Sequence, residues 1–422
     1  MAVHGRFLKA AAAASIVAVV SAGCSSGGGE DGEQADAGTS GVGPITFAMG
    51  KNDTDKLRPV IEQWNAEHPD QVVTLHELAG EADAQRDTLV QSLQTESGEY
   101  DAFALDVTDT AYFAANGWLQ PIEGETEVDT SGLVEAAVDS ATYNGTLYAV
   151  PQNTNAQLLY FRTDLQPEVP ANWGALVESC AAAKEAAVDC LNLQLKQYEG
   201  LTVAATQFIN SWGGSVVGED GKTPMLDSPE AEAGLTALVD GYKSDVIAMK
   251  SDGFTEEETA QSFLGGRTMY AYNWPYMYES GQSDPTSQVQ GKFDVAPIVG
   301  PDGPGKSTLG GYNNAINLFS ENKATVKSFL EFVISEDVQM GFAKESFPPV
   351  LSSIYDDEAL QQEFPYMTAL KAALENAEPR PVTPFYPAVS KAIQDNTFAA
   401  LKDQKSVQQA LTDMSAAIQQ AQ

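Results

Sequence analysis

The chain has 422 residues, 43% of them apolar and 9% aromatic, which is enough to build two well-packed domains. Against 59 acidic side chains stand 23 basic ones, a formal net charge of −36. So acidic a surface repels phosphate backbones and anionic bilayers, which excludes nucleic acid as a partner and leaves membrane contact to a lipid rather than to a basic face.

Arg6 and Lys9 open the chain, and an apolar run follows from Ala10 to Val20. That length fits a secretory leader, residues 1–23, and falls short of a membrane span. Val20-Ser21-Ala22-Gly23-Cys24 resembles the bacterial lipobox, in which the thiol is diacylated and cleavage makes the cysteine residue one. Cys24 is then the lipid anchor. Plain leader cleavage is the alternative, because Ser21 stands where that motif usually has leucine. Residues 25–43 hold seven glycines, four acids and no aromatic residue, a flexible tether of roughly 25 Å.

From Pro44 strands and helices alternate: a strand over 45–49, a helix over 55–67, a strand over 72–75, a helix over 84–95 and a strand over 101–105. This is the βαβ rhythm of a mostly parallel sheet. Leu57, Val60, Ile61 and Trp64 recur at helical spacing, so Trp64 reads as core. After residues 148–152 the rhythm restarts at 156–161, and a second α/β unit runs to about Leu309. The block from Gly310 is helical, over 324–334, 359–377, 387–401 and 406–421.

Cys180 and Cys190 lie ten residues apart, too far for a disulfide along one continuous helix. A helix over 178–187 followed by a strand over 190–195 makes a corner that brings the sulfurs together. In an exported chain a disulfide is the expectation, with two free buried thiols as the alternative. Gly300-Pro-Asp-Gly-Pro-Gly305-Lys306-Ser307 fits G-x-x-x-x-G-K-[ST]. Two prolines remove amides that would cradle phosphate, and Thr308-Leu-Gly-Gly311 starts no helix, so the segment reads as a hairpin loop.

A set of segments, in order, resembles the sugar-binding lipoproteins of ABC importers, the extracellular solute-binding proteins of family 1. The segments are Tyr100-Asp-Ala-Phe-Ala-Leu-Asp-Val107 with Asn116-Gly-Trp-Leu-Gln-Pro121, Asn144-Gly-Thr-Leu-Tyr-Ala-Val-Pro151 with Leu158-Leu-Tyr-Phe-Arg162, Phe263-Leu-Gly-Gly-Arg267, and Gly310-Gly311 with Ile316. The resemblance covers roughly residues 44–420. Leu105-Asp106-Val107, residues 154–159, Glu199-Gly200-Leu201, Asn273-Trp274-Pro275, Leu309-Gly310-Gly311 and residues 380–384 are most similar to the actinobacterial trehalose-binding lipoproteins of the LpqY type.

The resemblance implies a two-lobed periplasmic-binding-protein-like α/β fold of type II, each lobe a mostly parallel sheet flanked by helices, with a hinge and an interlobe cleft. Crossovers near Gln152, Leu309 and Phe347 give an N-terminal lobe of residues 44–152 and 310–347. The C-terminal lobe is then 153–309 and 348–422.

A sugar presents hydroxyls that need hydrogen-bond partners and a C–H face that needs an aromatic ring. Asp106 ends its strand, where ligands bind in open α/β sheets, with a helix N-cap as the alternative. Asp53 follows the first strand and carries the same alternative. Trp274 lies in an aromatic run from Tyr270 to Tyr278 that Pro275 cuts just after it, placing the indole at an element end; the resemblance puts a stacking ring there, with core packing as the alternative. The resemblance adds Asn155, Glu199, Glu256, Asn273 and Arg380 as ligand contacts. For Glu256 a solvated helix face competes, and for Arg380 an inter-lobe salt bridge. Gly310 and Gly311 let backbone approach the sugar. Trp118, Trp173 and Trp212 read as structural.

The expectation is a monomeric capture protein on the outer face of the cell membrane, held by its lipid and serving ABC permease subunits. It binds a disaccharide, trehalose first, with maltose, sucrose or another α-glucoside as alternatives. A secreted glycosidase is the rival, since paired carboxylates beside aromatics also describe glycoside hydrolysis. No cofactor or metal is expected: beyond the leader the only histidines are His68 and His76.

Overall fold

The computed structural model describes residues 38–218 and 220–422. The leader and Cys24 lie outside the described residues. In chain order the strands are β1 (Ile45–Gly50), β2 (Val73–Leu78), β3 (Ala102–Asp106), β4 (Thr142–Tyr143), β5 (Thr146–Leu147), β6 (Ala149–Ala156), β7 (Leu158–Arg162), β8 (Asp189–Asn192), β9 (Thr268–Asn273), β10 (Phe293–Pro297) and β11 (Leu309–Ile316). One sheet has the order β2-β1-β3-β11-β6 and a second the order β10-β7-β9-β8, while β4 and β5 form a separate hairpin.

Helices cover both faces of each sheet, which is why β1, β3, β7 and β9 are buried almost from end to end. On one face of the first sheet, helix Thr54–Glu67 buries Leu57, Val60, Ile61 and Trp64. Trp64 meets Phe329 of helix Lys323–Val333 edge-on at 5.6 Å, and Phe329 meets Phe47 of β1 at 5.8 Å. The opposite face packs Leu89 and Leu93 of helix Ala82–Leu93 and Phe113 of helix Thr110–Ala115 against Ala48, Phe103 and Leu105. In the second sheet β7 alternates. Leu159 and Phe161 join a core with helices Glu199–Ser211, Tyr386–Leu401 and Val407–Gln420, whereas Leu158 and Tyr160 join one with Phe263, Met277 and Tyr366. Trp173 and Trp212 cluster around Phe208, and Trp118 packs on Tyr112 and Phe113.

The α/β alternation holds, but the sheets are less parallel than the βαβ rhythm suggests. In the first, β1 pairs in parallel with β2 and β3, while β11 runs antiparallel to both β3 and β6. In the second only β8 with β9 is parallel. In the first sheet the cause is β11, which returns from the second sheet and lies between β3 and β6 against their direction, whereas β6 itself runs in the same sense as β1, β2 and β3. β6 and β11 pair from Ala149↔Ala315 to Ala156↔Leu309, with a register shift at Tyr312/Asn313. Pairing therefore continues past Gln152 to Ala156, and the chain passes to β7 at Gln157. That residue is buried and tied by side-chain hydrogen bonds to Gln194 (2.9 Å) and Gln207 (2.8 Å).

Other local departures have simple causes. The helix expected over 359–377 is two, Glu358–Glu363 and Tyr366–Glu375, because Pro365 supplies no amide to continue the first and instead starts the second. Helix Glu336–Lys344, absent from the sequence reading, buries Val338 and Phe342 in the first core. Gly41 and Gly43, assigned to the tether, are held: Gly41 O accepts from the Ala324 amide, and the Gly43 amide donates to Thr325 Oγ1, each at 3.1 Å.

Helix Trp173–Glu185 carries Cys180, and Ala187 at φ 56° turns the chain back so that Cys190 in β8 lies 5.1 Å away between Cα atoms. The disulfide is formed. Residues 300–307 make a tight turn, with the Gly300 amide donating to Gly303 O at 2.7 Å, and run directly into β11. Among the described residues no helix is long and apolar enough to cross a membrane.

Candidate functional site

The carboxyl ends of β1, β2, β3 and β6 and the start of β11 share one end of the first sheet, as their pairing senses require. The carboxyl ends of β8 and β9 share one end of the second. Between these ends lies a narrow cleft of about 730 Å³, counted out to open solvent. It gathers nine expected residues: Asp53, Asp106, Asn155, Gly310 and Gly311 from the first sheet and its loops, with Glu199, Glu256, Trp274 and Arg380 from elements around the second. Strand ends supply loop side chains with free backbone geometry, which is why sites collect there.

Trp274 stands at the junction of β9 and helix Tyr276–Ser283. Its amide donates to Asn273 Oδ1 at 2.9 Å, and its carbonyl accepts from Tyr160 Oη at 2.9 Å. The aromatic run divides here, for Tyr270 and Tyr272 are core while Trp274 and Tyr276 line the cleft. Asn273 is a correction to the expected contacts: it is fully buried behind the wall and its Nδ2 donates to the Glu256 carbonyl at 3.1 Å. It positions Trp274 and Glu256. The two glycines line the cleft, but their identity has a nearer cause. A Cβ on Gly310 would lie 2.8 Å from Trp274 Cη2 and Cζ3, and a Cβ on Gly311, at φ 126°, would lie 2.4 Å from Asn153 O. Gly310 seats the indole; Gly311 lets β11 approach β6.

Arg380 is 3% exposed and bridges two carboxylates, with Nη2 donating to Asp106 Oδ1 at 2.8 Å and Nη1 to Glu199 Oε1 at 2.6 Å. Burial opposes its charge, but Asp106, Tyr386 and Glu199 outweigh that and raise its pKa well above the ordinary value. Asp106 Oδ1 also accepts from the amide and hydroxyl of Thr108, so it shapes its own turn. The N-cap position of helix Thr110–Ala115 belongs to Asp109. Glu199 is nearly saturated within the protein, accepting from Tyr386 Oη and Ser390 Oγ at 2.5 Å each. Burial nonetheless raises its pKa, against the pull of Arg380.

Asp53 occupies the N-cap position of helix Thr54–Glu67 yet makes no side-chain capping bond. Burial in the cleft, with Asp55 nearby, pushes its carboxyl up to about 7. Glu256 opens helix Glu256–Leu264 and accepts from Tyr198 Oη at 2.7 Å; it is half-buried, whereas Glu257 and Glu258 are exposed. Burial raises its carboxyl, against hydrogen bonds from Tyr198 and Trp274. Asn155 Oδ1 is buried with no partner among the described residues.

Tyr198, Tyr276 and Tyr312 also line the cleft and were missed. Each lies within two residues of an expected contact, Glu199, Trp274 and Gly310, so adjacency was the available signal. Behind the wall sits a second charged group. Arg86 donates to Asp83 at 2.7 Å and lies 3.8 Å from Asp109, whose carboxyl burial pushes up to about 8. Among the described residues no group of three or more His, Cys, Asp or Glu is placed to hold a metal ion.

Residues 50–340 match the family model described as "Bacterial extracellular solute-binding protein". A "Probable ABC transporter-binding protein" of Deinococcus radiodurans is 28% identical over 374 residues, covering 82% of this chain and 86% of that protein. An "Arabinooligosaccharide-binding protein" of Halalkalibacterium halodurans is 20% identical, covering 76% and 74%. The maltose-bound structure of MalE3 from T. maritima superposes with a TM-score of 0.83 at 30% identity, over 89% of this chain and 98% of that one. With its two-lobed α/β fold and most of its length matched by the family model, the chain belongs to the bacterial extracellular solute-binding proteins.

Proposed function

We propose that this chain is the capture component of an ABC importer for a sugar, binding a disaccharide in the cleft and presenting it to the permease subunits. The observation that carries the reading is the half-buried Trp274 ring sharing one cleft with the Asp53, Asp106 and Glu256 carboxylates and the Asn155 amide. A ring face for sugar C–H groups beside several acceptors for hydroxyls is the composition a sugar site requires. Maltose in a structure 30% identical, and a related arabinooligosaccharide-binding protein, support the same ligand class. Trehalose is the first candidate and maltose or another α-glucoside the second.

In this reading residues 44–152 with 310–347 and residues 153–309 with 348–422 are lobes that open and close around the sugar. Cys24 carries the lipid that holds the monomeric protein on the outer face of the cell membrane. No covalent chemistry is needed, so the protein is not an enzyme.

A thermal-shift and calorimetry panel of trehalose, maltose, sucrose and a polyol tests the reading. A true ligand at a hundred times its dissociation constant stabilises by about 2.7 kcal/mol. The ligand's effect should vanish in Trp274→Ala and in Asp106→Ala. No response to any sugar overturns the ligand class, and protein-dependent turnover of trehalose or an aryl glycoside overturns the binder. Mass spectrometry of membrane-extracted protein and of Cys24→Ser checks the anchor.

A further inference from the structure

Helix Glu199–Ser211 has no cap of its own. Its N-cap residue is Tyr198, whose side chain makes no capping bond and donates instead to Glu256. The first amides of a helix need acceptors from outside it, and a buried start makes that need acute. Here the acceptor comes from the far side of the cleft. Asp83, in the first turn of helix Ala82–Leu93, accepts the Glu199 amide through Oδ2 at 2.7 Å. Arg86, one turn on, holds the other oxygen of Asp83 at 2.7 Å and fixes its rotamer. Just ahead of that helix, Glu81 pairs with Lys196 at 2.5 Å.

These bonds join different cores. Helix Ala82–Leu93 packs through Leu89 and Leu93 on the first sheet, whereas helix Glu199–Ser211 packs through Leu201, Ala205 and Phe208 in the core of the second. Asp83 is not among the residues that line the cleft, although Ala82 and Glu199 on either side of the contact are. The carboxylate is well suited to its place, since an anion at a helix N-terminus gains from both the free amides and the helix dipole.

We infer that Asp83 is a closing latch: it caps helix Glu199–Ser211 only when the two halves come together, and so sets ligand affinity without touching the ligand. In an open form the Glu199 amide and the Asp83 carboxylate each meet water; in the closed form each is the other's partner. That differential contact biases the equilibrium between forms, and the apparent dissociation constant scales inversely with the closed population. Glu199 makes the coupling direct, because its amide is held by Asp83 while its carboxylate holds Arg380 and, through it, Asp106. The inference rests on the proposed reading of a cleft that opens and closes.

The test compares full-length wild type with Asp83→Ala, using maltose and trehalose as probes. Calorimetry, stopped-flow tryptophan fluorescence and small-angle scattering are the readouts. Asp87→Ala, an exposed position on the same helix, is the control. The expected result for Asp83→Ala is a dissociation constant raised about tenfold through faster release, consistent with the loss of one cap, and a larger radius of gyration than wild type. Asp87→Ala should change neither. If wild type binds no sugar, the sugar reading fails while scattering still decides the latch. An Asp83→Ala protein with wild-type radius of gyration, and with wild-type affinity where a sugar binds, overturns it.

Discussion

Arg380 donates to Asp106 at 2.8 Å, joining the carboxyl end of β3 to the loop that precedes helix Tyr386–Leu401. Because the same guanidinium also grips Glu199, one buried cation ties three separated segments together at the wall of the cleft. Of the two readings the sequence offered for Arg380, ligand contact and bridge, the bridge is therefore realised in the geometry. The side chain also lines the cleft, where it can still donate to a ligand.

Removing that cation strands Glu199, whose side chain is 5% exposed. Arg380→Met is expected to destabilise by roughly 3–5 kcal/mol, the usual cost of breaking one partner from a buried pair. Arg380→Lys should recover little of it, since a single ammonium lacks the fork that reaches two carboxylates. Urea unfolding midpoints measure both, and a loss under about 1 kcal/mol for the methionine variant would contradict the bridge.

Gly310→Ala tests how the indole is seated. The new methyl would press on the far edge of the Trp274 ring, which can rotate away, so the fold should survive with a loss of no more than ~1–3 kcal/mol. Sugar affinity should fall by more than stability does. Intrinsic tryptophan fluorescence and calorimetry read the two effects separately, and unchanged affinity counts against Trp274 as the stacking ring.

Asp53 gives a pH dependence with a definite sign. Its carboxyl is pushed up from 3.8 to about 7, so the folded protein holds that proton more tightly than the unfolded chain does. The stabilisation is complete below about pH 4 and is lost as pH rises through about 7. Asp53→Asn should flatten that decline and be at least as stable as wild type near pH 8. Denaturant midpoints across the range provide the measurement; the same slope in both proteins would assign the decline to another group.

The Cys180–Cys190 bridge closes a short loop at the corner between helix Trp173–Glu185 and β8. Chain-entropy reasoning puts its contribution at roughly 2–4 kcal/mol. Neither cysteine lines the cleft, so Cys180→Ser with Cys190→Ser should lower the melting temperature and leave sugar affinity intact. An affinity loss comparable to the stability loss would mean that the corner is coupled to the cleft.

Most of the cleft was legible because its residues sit at breaks in pattern. Pro275 marked Trp274 as an element end, and the strand before Asp106 placed that carboxylate at a sheet's carboxyl edge. The cysteine spacing required the corner that Ala187 makes. What escaped depends on partners distant in sequence. Asn273 carries the same amide as Asn155, but only the packed fold turns it behind the wall. Gly310 is a glycine on account of an indole 36 residues away in the chain, and the antiparallel run of β11 follows from where the chain crosses between sheets. Asp83, amid other charged residues near the start of an ordinary helix, gave no sign of its partner.

β6 and β11 pass between the two halves side by side, laced by hydrogen bonds along most of their length. Where β3 stops at Asp106 the ribbon is left two-ply, and such a ribbon resists stretching and sliding far more than bending out of its plane. The slipped register at Tyr312 and Asn313 is where its lacing is interrupted and its twist increases. It is a leaf spring with a notch. In the proposed reading of a cleft that opens and closes, bending of this ribbon lets the two halves rock and brings the same pair of faces back together on every stroke.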